Sequence, residues 1–169
     1  MSFIQFSVPG EPRGKGRPRA VIRGAHAGVY TDSKTVAYES LIALASKQAM
    51  TGREPFDGPV RVDLAIWMSV PASASRKRQE AMLADQITPT KKPDCNNVLA
   101  AAQDGMNGIV YGDDKQVVSL VVHKRYTREP RLEIQVSEVY PKPARIAPQV
   151  DVLAILERSG VDVIVKAVE

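Results

Sequence analysis

The chain opens with FIQFSV (Phe3–Val8), an alternation of apolar and polar residues that predicts a β-strand. A basic stretch rich in Gly and Pro follows and is expected to be a loop. Within TDSKTVAYESLIALASKQAM, Val36, Leu41, Leu44 and Ala45 recur at near-helical spacing. A helix is therefore expected from Ser33 or Lys34 to Met50, capped by Asp32 or Ser33. Gly52 to Gly58 reads as a turn region. PVRVDLAIWMSV (Pro59–Val70) puts Val60, Val62, Leu64, Ile66 and Met68 on alternate positions, a strong strand signal. Ser73 to Gln86 reads as a polar amphipathic helix carrying the basic triplet Arg76-Lys77-Arg78.

Lys91-Lys92-Pro93 interrupts the pattern before CNNVLAAAQDGM. That segment reads as a helix with Asp94 or Asn96 at its N-cap, ended by Asn107-Gly108 through a left-handed residue. IVY is a short extended piece and GDDK a turn. Gln116–Tyr126 is a β-branched strand; Arg131–Val139 alternates and is expected to pair with it as a hairpin through Thr127 to Pro130. PKPARIAP (Pro141–Pro148) reads as a linker, and the tail after it as a short helix and strand that cover a sheet edge. Strand, helix, strand, helix, helix, strand, strand makes the expected class α+β: a mixed sheet with an antiparallel hairpin, packed against two to three helices.

Length bounds this to one domain, since 169 residues carry one proper core and not two comfortable ones. A composition of 44% hydrophobic and 25% charged residues argues against wholesale disorder. No uninterrupted apolar run approaches a membrane span, and MSFIQFSVPG lacks the basic-then-apolar pattern of a secretion signal. The single cysteine, Cys95, has no partner for an internal disulfide, so a reduced, cytoplasmic protein is expected. The net charge of +4 is mild but unevenly placed: Arg13, Lys15, Arg17, Arg19 and Arg23 face only Glu11 within residues 1–24, and the rest of the chain balances to zero. A charge run is usually a solvated loop. Cations alternating with Gly and Pro also suit a strap that follows a phosphate backbone and releases its counterions.

Candidate chemistry lies between Lys91 and Asp114. Asp94 and Asp104 are too far apart along a helix to share a small ion, at roughly 1.5 Å rise per residue. Asp113 and Asp114 return after a turn, so folding can bring one or both back to the helix start beside Asp94. Carboxylates gathered without a cation repel, and Mg²⁺ relieves the conflict while leaving positions for phosphate oxygens. Such an ion polarises a phosphodiester and activates water. Taken singly, Asp94 suits a helix cap, Asp113-Asp114 after Gly112 a turn, and Asp104 a surface acid. His123 and His26 show no partner, and Cys95 has no nearby histidine to make it a nucleophile.

Three stretches together change these weights. PGEPRGKGRPR after the first strand, YTDSKTVAYE leading into the first helix, and KPDCNNVLAAAQDGMNGIVYGDDKQVVSL resemble the RusA-like family of Holliday-junction resolvases, small Mg²⁺-dependent endodeoxyribonucleases. HKRYTREPRLEIQV also fits the family's ending, and the resemblance spans residues 3–138. It implies an endonuclease domain over residues 1–140; residues 141–169, beyond the resemblance, are expected as the proline-rich linker and a short helix-strand tail packed on the same domain. It implies Asp94 as the first catalytic aspartate and Asp113-Asp114 as the acidic pair, with Asp114 the better match to the third catalytic aspartate; Asp94, Asp113 and Asp114 would then be the Mg²⁺ ligands. The second aspartate position falls on Asn96, the asparagine after it is retained as Asn97, and the lysine expected six residues after Asp94 falls on Ala100. Asparagine offers a neutral oxygen but removes a negative charge, and losing one preorganised electrostatic group commonly costs about 10²–10³ in rate.

The implied activity is resolution of four-way junctions by paired, symmetric nicks in recombination and repair. Two equivalent nicks call for a homodimer. Arg13, Lys15, Arg17, Arg19, Lys91 and Lys92 are the expected DNA contacts, supplying affinity and positioning with little base readout. The alternative is a junction-binding homologue whose catalysis is weakened by Asn96 and Ala100. A third, from another class, is a structural domain with a basic loop.

Overall fold

The computed structural model describes residues 2–16, 19–23, 26–30 and 32–139. Strand β1 (Phe3–Pro9) is followed by β2 (Arg19–Arg23) and β3 (His26–Tyr30), helix α1 (Ser33–Ala49), β4 (Val60–Ser69), α2 (Arg76–Leu83), α3 (Cys95–Met106), β5 (Val117–Thr127) and β6 (Arg131–Glu138). The main sheet runs β1-β6-β4-β5, with β4 parallel to β5 and all other pairs antiparallel. This mixed sheet with three helices is the expected α+β class.

Strand β4 is central because its apolar row is the most complete. Val60, Val62, Leu64, Ile66 and Met68 are buried on one face, beside Leu132, Ile134 and Val136 of β6. Ile4 and Val8 of β1 extend the same row, and helices α1 and α3 cover it with Tyr38, Ile42, Val98, Ala101, Ala102 and Met106. The two helices touch closely at Gly105: a Cβ there would lie 2.7 Å from Ile42 Cβ.

Several expectations are corrected. β5 and β6 do not form a hairpin; β4 lies between them, and their short connection crosses the end of β4, where Val70 N donates to Thr127 O at 3.2 Å. A strand apolar enough to be central takes both neighbours, and this outweighs the proximity of β5 and β6 in sequence. The basic stretch is only partly a loop, since Arg19–Arg23 pairs with His26–Tyr30 in a two-stranded ribbon. Val21 and Ile22 supply the β-branched centre that the flanking charges obscured. In α1 the inward stripe is Thr35, Tyr38, Ile42 and Ser46, at spacings of three and four; Val36, Leu41 and Leu44 face outward and are about half exposed. Helix α2 is shorter than the expected Ser73–Gln86, with Ser75 at its N-cap. The ends of α3 follow the sequence: Asp94 is the N-cap residue, and Gly108 takes the left-handed conformation at φ +70°. The linker and tail expected beyond residue 140 lie outside the described residues.

Candidate active site

Three segments meet at the start of α3. The strap at 10–16 leaves β1 through Gly10, at φ +96°, and is seated between the starts of α3 and α1. Lys15 N donates to Asn97 O at 2.8 Å, and Gly16 N donates to Thr35 Oγ1 at 3.3 Å. Gly14 is required by contact: a Cβ there would lie 2.7 Å from Asn97 Cβ and 3.3 Å from Pro93 Cβ. Between strap and helix runs a groove of about 820 Å³. Arg13, Lys15, Lys34 and Lys92 line it together with Glu11, Asp32, Asp94 and Asn97.

Asp94 holds the N-cap position with extended backbone (φ −75°, ψ 148°), yet its carboxylate accepts no backbone N–H of α3. Its side-chain partner is Asn97, whose Nδ2 donates at 3.4 Å. Asp94 thus lines the groove with its carboxylate held, among the described residues, by one long hydrogen bond. Asn96 is exposed in the first turn of α3 and does not line the groove. Ala100 is half-buried one turn further on.

Asp113 and Asp114 play different local parts. Asp113 caps the 3-10 turn Asp114–Gln116: its Oδ1 accepts from Lys115 N at 2.9 Å, and its own N donates to Gln116 Oε1 at 3.0 Å. That backbone hydrogen bond from Lys115, aided by the Lys115 charge, lowers the Asp113 pKa. Asp114 is exposed and free of this capping role. Its charge, with that of Asp104, adds to the burial that raises the Tyr111 hydroxyl. Neither Asp113 nor Asp114 lines the groove that holds Asp94.

A second charged group lies along α3. Lys15 Nζ donates to Asp104 Oδ2, and this bond raises the lysine pKa while burial opposes it. Glu39 of α1 stands beside the pair; burial raises its pKa first, Asp104 raises it further, and Lys15 lowers it. Among the described residues, Glu39 Oε1 and the hydroxyl of the fully buried Tyr111 have no hydrogen-bond partner. Nothing in the sequence pattern singled out either residue, because one sits in a helix among ordinary polar residues and the other reads as core. Tyr38 is similar: burial pushes its hydroxyl up to about 12, against the Arg13 backbone.

Of the expected DNA contacts, Arg13, Lys15 and Lys92 share the groove with Asp94. Lys91 lines a separate concavity with Arg78 and Tyr126. Arg17 lies outside the described residues, and Arg19 begins β2.

The family model described as Endodeoxyribonuclease RusA matches residues 9–137, most of the chain and all of this site. The chain belongs to the RusA family. It is also 35% identical over 141 residues to the uncharacterized protein YqaN of Bacillus subtilis (strain 168), covering 82% of this chain and 99% of that protein. RusA membership places the chain among endodeoxyribonucleases that resolve Holliday junctions in DNA recombination. None of the helices described is long and apolar enough to cross a membrane.

As a RusA-family site, the groove can be tested for fit to a divalent ion. Among the described residues, no three His, Cys, Asp or Glu side chains converge to hold one metal. Mg²⁺ does not require such a cage, because it is held by one or two carboxylates, with waters and substrate phosphates completing its shell. Asp94, which makes no cap bond to α3, leaves its carboxylate open for that mode of binding, and the basic side chains that line the same groove suit the phosphates.

Proposed function

We propose that this RusA-family chain is a Mg²⁺-dependent endodeoxyribonuclease that acts as a homodimer and resolves four-way junctions by paired, symmetric nicks. The observation that carries the reading is the groove itself, which Asp94 lines together with Arg13, Lys15 and Lys92 while its carboxylate is not used as a helix cap. Asp94 would hold the ion, together with waters and substrate phosphate oxygens, and the ion when bound would supply Lewis-acid polarisation of the phosphodiester; Asp113 and Asp114, expected as further ligands, lie outside this groove. Arg13 and Lys92 bind backbone phosphates and fix the strand's register, a role that needs cations but no base recognition. The strap, tied to Asn97 O and Thr35 Oγ1, holds one wall of the groove rigid, so that bound DNA meets a preorganised surface. Asn97 orients Asp94 through its Nδ2 bond. A two-fold pair of such grooves would match the two-fold symmetry of a junction.

The test compares Mg²⁺-dependent cutting of a synthetic four-way junction with that of a linear duplex of the same sequence. Selective cutting of the junction is expected; no cutting at any enzyme excess rejects the activity.

A second reading, a junction-binding protein with weakened cleavage, draws on Asn96 and Ala100, which leave the first turns of α3 without the acid and the lysine that the resemblance implies. Asn96→Asp combined with Ala100→Lys separates the two. Activity that appears only in the double variant favours the binder, whereas unchanged high activity favours the enzyme.

A further inference from the structure

Lys124 of β5 is paired with Ile66 and shares its sheet face, between Val122 and Tyr126 on a row where β4 is wholly apolar. An ammonium in that half-buried position needs acceptors, or its desolvation destabilises the fold. It finds two, both backbone carbonyls of one loop: Lys124 Nζ donates to Lys91 O at 2.7 Å and to Pro93 O at 2.9 Å. Pro93 O belongs to the peptide whose nitrogen is that of Asp94. The loop is held from its other side by the strap, with Gly14 against Pro93 and Asn97.

We propose that Lys124 is a positioning residue: its ammonium staples the loop at 91–93 to β5 and so fixes the place of Asp94 in the groove lining. Charged donors make the stronger class of hydrogen bond, and two carbonyls on one ammonium restrict both the position and the rotation of the loop. Asp94 needs such support because it lacks a cap bond to α3 and its one side-chain partner is at 3.4 Å. A carboxylate displaced by about 1 Å can cost on the order of 10²-fold in rate with little effect on DNA affinity. The inference rests on the reading of Asp94 as a catalytic group, and it assigns Lys124 no contact with substrate.

The experiment compares the full chain with Lys124→Met, which keeps the length and loses the donors, and with Lys124→Arg, which keeps donors. Hydrogen exchange is followed at the Val98 amide, which donates to Asp94 O at 3.1 Å, and at Val62 and Ile134 in the sheet. Cleavage at saturating junction and junction affinity are measured on the same proteins. For Lys124→Met we expect Val98 exchange to rise about 10-fold with the sheet amides unchanged. Cleavage should fall about 10- to 100-fold at an affinity within about 2-fold of the parent, with partial recovery of both effects in Lys124→Arg. Local loosening without loss of cleavage, loss of cleavage without loosening, or loosening that extends equally to Val62 and Ile134 overturns the proposal. Should the parent chain cut no junction, the proposed nuclease activity fails by itself, and the exchange at Val98 still decides whether Lys124 holds the loop.

Discussion

At the scale of single residues, a carboxylate at a helix N-terminus ordinarily accepts a backbone N–H, and removing it costs about 1 kcal/mol. Asp94 makes no such bond. Asp94→Asn is therefore expected to abolish most junction cleavage, by about 10²-fold or more, while changing unfolding stability by well under about 1 kcal/mol. Cleavage assays and urea unfolding on the same variant check both halves. Glu39 gives the complementary case. Its pKa is raised above the ordinary 4.5, first by burial and then by Asp104. A carboxyl raised in the folded state contributes its stability below the unfolded pKa and loses it as pH rises through the folded value. Glu39→Gln should accordingly stabilise the fold at about pH 7 and have no such effect at about pH 3, read from denaturant midpoints at the two pH values. Equal effects at both would show that the carboxylate charge is not what matters there.

At the scale of elements, the site depends on how α3 is held. Its C-terminal half crosses α1 at Gly105, where an added methyl would meet Ile42 at 2.7 Å and Glu39 O at 3.0 Å. Gly105→Ala is expected to destabilise the protein by about 1–3 kcal/mol despite alanine's higher helix propensity, because two backbones must separate. The denaturation midpoint measures this, and a stabilised variant would mean that the helices part easily. The N-terminal half of α3 is gripped by the strap through Asn97 and by β5 through the loop before Asp94. The catalytic candidate thus stands where three elements from distant parts of the chain converge.

At the scale of the molecule, the four-stranded sheet carries its fully buried row on the face covered by α1 and α3. On the opposite face Arg131 stacks over Trp67 at 4.9 Å and pairs with Glu133. The excess positive charge lies in residues 1–24, and of it Arg13 and Lys15 flank the groove. Removing Arg13 and Lys92 should lower the dependence of log affinity on log salt by about 0.9 for each phosphate left without its cation. Titrations of the double alanine variant at several salt concentrations test this; an unchanged slope would place the DNA elsewhere. Sedimentation of the protein with and without junction tests the proposed homodimer, for which one two-fold complex per junction is expected.

Local pattern located the strands of the main sheet, the three helices and the class, because burial of one face imposes a spacing of two along β1, β4 and β6 that the sequence displays; in α1 the helix was legible but its buried face was not. The resemblance carried by KPDCNNV and GDD marked Asp94 and the acidic pair. Strand order, the outward turn of Val36, Leu41 and Leu44, the separate cap role of Asp113, and the partnership of Lys15 with Asp104 and of Lys124 with the loop before Asp94 were decided only in three dimensions. Each joins residues far apart in the chain or competing for one central place, and such choices follow from what packs against what, which no local pattern encodes.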